Sequence, residues 1–137
     1  MLALVFEDSF GYRTMGLLHI LSAIVAFGPM FLYPGLRKAG ETSTIAQMHM
    51  RMTFPALIAL WVLGMGLTGI AELKMSQLWL SLSIVVWVVL IAVSWFLIRP
   101  SIADQSEAAT KKLSAGVGIT HLGLVVGLVL MIWKPGL

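Results

Sequence analysis

Four long apolar runs separated by short polar stretches make up most of the chain. None shows the two-residue alternation of a membrane barrel strand, so helices are expected. A hydrocarbon core about 30 Å thick needs roughly 20 residues of helix to cross it, and each run is long enough. The pattern predicts an all-α polytopic membrane protein. It is a four-transmembrane-helix bundle, one membrane domain over residues 1–137, with spans at about 14–36, 46–71, 78–98 and 113–133.

The interruptions within the runs have local consequences. Gly28-Pro29 falls inside span one, where the proline lacks an N–H and presses on the carbonyl of Val25, so a kink is expected. The carbonyl it frees needs a neighbouring helix or a trapped water. Ser43 or Thr44 is suited to cap span two, and Pro55 is either a first-turn proline or a second kink. Span three carries no charge and is expected to stop at Arg99-Pro100. Its Trp79 and Trp95 suit the two membrane interfaces, with Trp87 as a lipid or packing contact. In span four, Gly116, Thr120, Gly123 and Gly127 form a stripe of small residues, with Gly123 and Gly127 spaced as GxxxG. Such a stripe admits close helix packing, within the chain or between chains, so a homo-oligomer or a larger membrane complex enters as a partner.

Composition strengthens the assignment. Hydrophobic residues are 59% of the 137 and charged residues 11%, against roughly 25% charged in a soluble domain. The mean hydropathy is +0.97. The lipid bilayer is the natural solvent, and the net charge of +3 is read as topology and head-group contact, with no nucleic acid partner. Arg37, Lys38, Arg51, Arg99, Lys111 and Lys112 fall on one side; Arg13, Lys74 and Lys134 fall on the other. That bias places loops 37–45 and 99–112 in the cytoplasm of a bacterial inner membrane and both termini outside. Met1–Phe6 lacks the basic start of a cleavable signal, and Leu2, Leu4, Val5, Phe6 and Phe10 suggest a short amphipathic piece on the outer surface. Cysteine is absent, which excludes disulfides and thiolate metal sites.

Candidate chemistry reduces to three histidines. His19 lies roughly 9 Å below the outer face by helical rise. An ionisable group at that depth either works or is a neutral ring bonded to a backbone carbonyl. His121 lies in span four beside the glycine stripe. Two intramembrane imidazoles on different helices are a minimal donor set for haem b, which makes His19 and His121 the candidate cofactor-binding and iron-ligating pair. Their expected depths differ by about 8 Å, which strains a shared iron. His49 sits in Met48-His49-Met50-Arg51-Met52, where Met48, His49 and Met52 could offer a Cu(I) site. The plainer reading is methionine as apolar filler, with His49 and Arg51 as a head-group anchor. Spans one, three and four hold no carboxylate, which disfavours a proton-coupled carrier. No HExxH, GxSxG or P-loop pattern occurs, so catalytic residues are unknown.

Several landmarks resemble a known family. Leu18-His19-Ile20-Leu21-Ser22-Ala23, Phe27-Gly28, Tyr33-Pro34, Pro55-Ala56-Leu57, Thr68-Gly69, Trp79-Leu80 and Arg99-Pro100 are similar to bacterial integral membrane proteins of unknown function (DUF2269-like) over nearly the whole chain. The histidine ahead of an aromatic-glycine pair also resembles HemJ-type protoporphyrinogen oxidases and CopD-type copper-resistance proteins. The former resemblance implies haem b at His19 without the enzyme, because that group also uses a lysine in a later span and span three here has none. The latter implies copper passage, with only His19 matching. The expectation is a haem b protein for redox or electron transfer. The alternatives are a non-enzymatic subunit packing through span four and a copper-handling protein.

Overall fold

The computed structural model describes residues 10–136. Four helices are long and apolar enough to cross a membrane: Phe10–Lys38, Thr42–Ile70, Leu78–Ala103 and Glu107–Trp133, hereafter spans one to four. The chain is thus an all-α, multi-pass membrane protein, and no strand occurs among the described residues. The amphipathic N-terminal piece expected from the sequence lies outside the described residues, apart from Phe10.

At 26 to 29 residues each span is about 39–44 Å long, which matches a bilayer with its head groups rather than its hydrocarbon alone. The helices therefore run past the apolar runs that predict them. Span two starts at Thr42 after Glu41, with no side-chain cap, so neither Ser43 nor Thr44 is the cap expected. Span four starts on Ser106, whose Oγ accepts from the Ala109 amide at 3.1 Å. The stop expected at Arg99-Pro100 does not occur; helix continues to Ala103.

The prolines explain where the backbone departs from the α form. Pro29 opens a 3₁₀ turn, Pro29–Leu32. Pro55 and Pro100 each follow a π-helical stretch, His49–Thr53 and Val93–Ile98. In each the residue just before the proline donates five residues back, Phe54 to His49 and Arg99 to Ser94. A proline ring collides with the carbonyl four residues earlier, and a widened turn relieves that collision without ending the helix.

Spans one and two pack along their length, as do spans three and four. The exterior is apolar, with Leu17, Ile24, Val62, Val88, Phe96, Leu122 and Ile132 all exposed. Polar side chains sit inside: Arg37, His49, Thr53, Ser94, Ser101 and Thr120 are buried. This reversal of the soluble pattern is what a hydrocarbon solvent selects.

The small-residue stripe of span four is used within the chain. A Cβ on Gly123 would lie 2.6 Å from Leu90 Cδ2, and one on Gly116 would lie 2.5 Å from Ile98 Cγ1. Thr120 turns its hydroxyl to the Gly116 carbonyl at 2.8 Å. Span three thus closes on span four at glycine distance, while Gly127 meets nothing within 4 Å.

Candidate functional site

Both ends of the bundle carry buried polar atoms, and they are satisfied very differently. Near the end that holds Arg37, Tyr33, His49, Thr53 and Ser94 come from three spans and are fully enclosed. His49 Nε2 lies 3.0 Å from the Ser94 carbonyl and 3.1 Å from Ser94 Oγ. A carbonyl only accepts, so Nε2 carries the proton and Nδ1 accepts. Tyr33 Oη and Thr53 Oγ1 each lie 3.1 Å from Nδ1, and 2.8 Å from one another. Thr53 also reaches the His49 carbonyl at 3.1 Å. Every group in this knot has a partner, as a buried polar group in hydrocarbon must.

The head-group anchor expected of His49 is therefore wrong: burial of the ring is complete and both nitrogens are spent inside. The structure does not gather Met48, His49 and Met52 around one point. Met48 packs against the core while Met52 is exposed. Among the described residues no group of three or more His, Cys, Asp or Glu side chains is placed to hold a metal ion.

Arg37, counted from the sequence only as a topology charge, is a clamp. It donates to the carbonyls of Ser101, Ile102 and Asp104 and, through two nitrogens, to Thr110 Oγ1. The carbonyls are those that a helix leaves unpaired at its C-terminus, where the backbone dipole favours a cation. Beside it, the Asp104 carboxylate is held below the usual carboxylate range, chiefly by the backbone amide of Ser106.

His121 also has a structural task. Phe31 donates to Gly28 instead of the Phe27 carbonyl an α-helix would assign it. His121 Nε2 donates to that Phe27 carbonyl at 3.3 Å, and its ring stacks on Phe31 at 3.8 Å between centroids. The 3₁₀ turn that Pro29 opens thus leaves the Phe27 carbonyl without its α-helical donor, and span four supplies one.

His19 differs from both. Its ring lies beside the Leu60 backbone of span two, and its Nδ1 is buried without a hydrogen-bond partner. Gly64 makes room for the ring, since a Cβ there would lie 3.1 Å from His19 Cε1. The imidazole lines a cavity of about 520 Å³ bounded by all four spans, well within the roughly 300–1,000 Å³ of ligand and cofactor sites. The cavity runs from Lys134 and Tyr12 past Trp79 and His19 to Phe27 and Leu90. Two of its hydroxyls are spent on their own helices: Thr68 on the Gly64 carbonyl at 2.9 Å, Ser83 on the Trp79 carbonyl at 2.7 Å. His19 Nδ1 and Trp79 Nε1 remain as buried, unpartnered polar atoms in the lining.

The two histidines expected to share an iron are not brought together. His19 meets span two at Leu60 and Gly64, whereas His121 meets span one at Phe27 and Phe31. Phe27 lies eight residues beyond His19, roughly 12 Å along the axis.

Of the two tryptophans expected at the interfaces, Trp79 departs from that reading, while Trp87 makes the packing contact expected of it. Trp79 is only 6% exposed and faces the cavity. Trp87 Nε1 donates to the Leu57 carbonyl at 2.9 Å, and the ring stacks on Trp61. Trp95 carries the Arg99 guanidinium over its face at 3.8 Å, the one contact of the three that suits a head-group boundary.

Comparison of the chain with protein-family models, with curated proteins and with solved structures finds no match.

Proposed function

We propose that this membrane protein binds haem b, or a related tetrapyrrole, in the cavity, with His19 as the protein's axial donor. The carrying observation is the buried Nδ1 of His19, unpartnered in an apolar chamber of about 520 Å³. Metal-ligating histidines are ordinarily fixed by a second contact to a backbone carbonyl, and the Leu60 backbone lies beside the ring. His121 is left out of the donor set, because its ring stacks on Phe31 and does not line the cavity. Haem b supplies one-electron chemistry when bound. The chain's own part is to brace the imidazole between Leu60 and Gly64 and to exclude water with Phe27, Trp61 and Trp87. Redox or electron-transfer work follows from that reading. By loop charge we also place the Arg37 end in the cytoplasm of a bacterial inner membrane.

The test is an absorption spectrum of protein purified from haem-replete cells. A Soret band is expected in the wild type and in His121→Ala, and its loss in His19→Ala. A colourless wild type, or a band that survives His19→Ala, would refute the reading.

A further inference from the structure

The cavity has a polar mouth, and the chemistry of that mouth selects one end of a ligand. Lys134 follows span four in the left-handed conformation, φ 46°. The next carbonyl, Pro135, accepts from the Trp79 amide at 3.1 Å. Gly136 lies so close to span three that a Cβ on it would sit 2.7 Å from Leu78 Cβ. The chain after span four is thereby pinned across the start of span three, and Lys134 is held at the cavity rim instead of trailing into water. Its Nζ lies 5.3 Å over the Trp79 ring. Trp79 itself is 6% exposed, with its Nε1 lacking a partner.

At the rim a cationic donor, Lys134 Nζ, therefore stands over the buried indole of Trp79, beside Tyr12 and above a chamber lined mostly by apolar side chains. No carboxylate among the described residues is paired with Lys134. Donors without acceptors call for a ligand that brings acceptors and negative charge. We infer that the site takes an amphipathic carboxylate, with the carboxylate on Lys134 Nζ and Trp79 Nε1 and the apolar body running inward to His19. The inference deepens the haem reading, since haem b carries two propionates, but a fatty acid presents the same chemistry.

Esterification separates these possibilities. Wild-type protein in mild detergent is titrated with haem b and with its dimethyl ester, read at the Soret band. It is also titrated with dibromostearate and its methyl ester, read by quenching of tryptophan fluorescence. The free acid of the ligand that binds should be favoured by about fivefold, the upper range of an exposed ion pair. The preference should vanish in Lys134→Gln, return in Lys134→Arg and shrink in Trp79→Phe, with helical circular dichroism unchanged. If neither haem form gives a Soret band while dibromostearate shows the Lys134-dependent preference, the carboxylate site stands and the haem reading falls. If acid and ester bind alike, or the preference persists in Lys134→Gln, the carboxylate site is overturned while His19-dependent haem binding survives. Absence of binding by all four probes overturns both.

Discussion

His49 of span two and Ser94 of span three meet at 3.0 Å through Nε2 and a backbone carbonyl, and each lies in the π-helical stretch of its own span. The pairing joins the two halves of the bundle where both backbones are widened ahead of a proline. Replacing His49 by Ala leaves the Tyr33 and Thr53 hydroxyls and the Ser94 carbonyl short of a partner. The expected loss is about 1–3 kcal/mol, towards the lower end if the membrane-unfolded state re-pairs them. Unfolding by SDS titration measures it, and a wild-type midpoint would contradict this account of the knot.

Arg37 should rank among the most sensitive positions. Arg37→Met strands three carbonyls and Thr110, with an expected cost of about 3 kcal/mol or more. Arg37→Lys keeps the charge but has only three donors on one nitrogen, so it should recover only part of the loss. Protease cleavage in the 104–106 loop reports the effect: faster in both variants, fastest in Arg37→Met.

Gly123→Ala places a methyl against Leu90, and overpacking of this kind costs about 1–3 kcal/mol. Leu90→Ala removes the obstacle. The double variant should therefore be more stable than the sum of the two single losses implies, a coupling that a double-mutant cycle measures directly. Strict additivity would mean that spans three and four do not touch at this point.

Gly64→Val tests the brace of His19 without altering the imidazole. The ring must give way to a side chain whose first atom would already lie 3.1 Å from Cε1. Haem affinity should fall by about tenfold or more, the effect of losing a ligand's support, while Gly118→Ala, at a position with open space and outside the cavity lining, should leave the Soret band in place.

Asp104 supplies a pH dependence. Its carboxyl is held down by the Ser106 amide first and the Ser106 side chain second, so the charged form favours the folded loop. That contribution is complete above the ordinary carboxylate value of 3.8 and is lost as pH falls through the lower folded value. Loop cleavage should accelerate only in that acidic window, and Asp104→Ala should make the rate flat across it.

Much of the architecture was readable in one dimension. Span number and helical character follow from run length and absent alternation, because hydrocarbon leaves a chain few ways to satisfy its backbone. Pro29, Pro55 and Pro100 marked where trouble would occur but not its form. A missing N–H is a local fact, whereas a 3₁₀ turn, a π turn or a break depends on what the neighbouring helix offers. Arg99-Pro100 looked like a stop for that reason, and the helix passed through it.

The candidate residues divide in the same way. His19, His49 and His121 stood out from sequence because ionisable groups are rare at membrane depth. Their partners did not: Tyr33, Thr53 and Ser94 are ordinary residues in apolar runs, and Arg37 resembled any loop cation. The spacing of His49 and Thr53, four apart on one helical face, was a signal that could have been read. Ser94 had none.

The sequence by itself determined the solvent, the number of crossings and the scarcity of chemistry, since these depend on summed apolarity and residue identity. Only the tertiary structure decided which imidazole is spent and which is spare. Hydrogen-bond partners are settled by helix rotation, proline-shifted register and glycine approach, none of which a linear pattern encodes. His49 and His121 closed on neighbouring carbonyls and hydroxyls, and the third ring, His19, lines an apolar chamber with one nitrogen unpartnered.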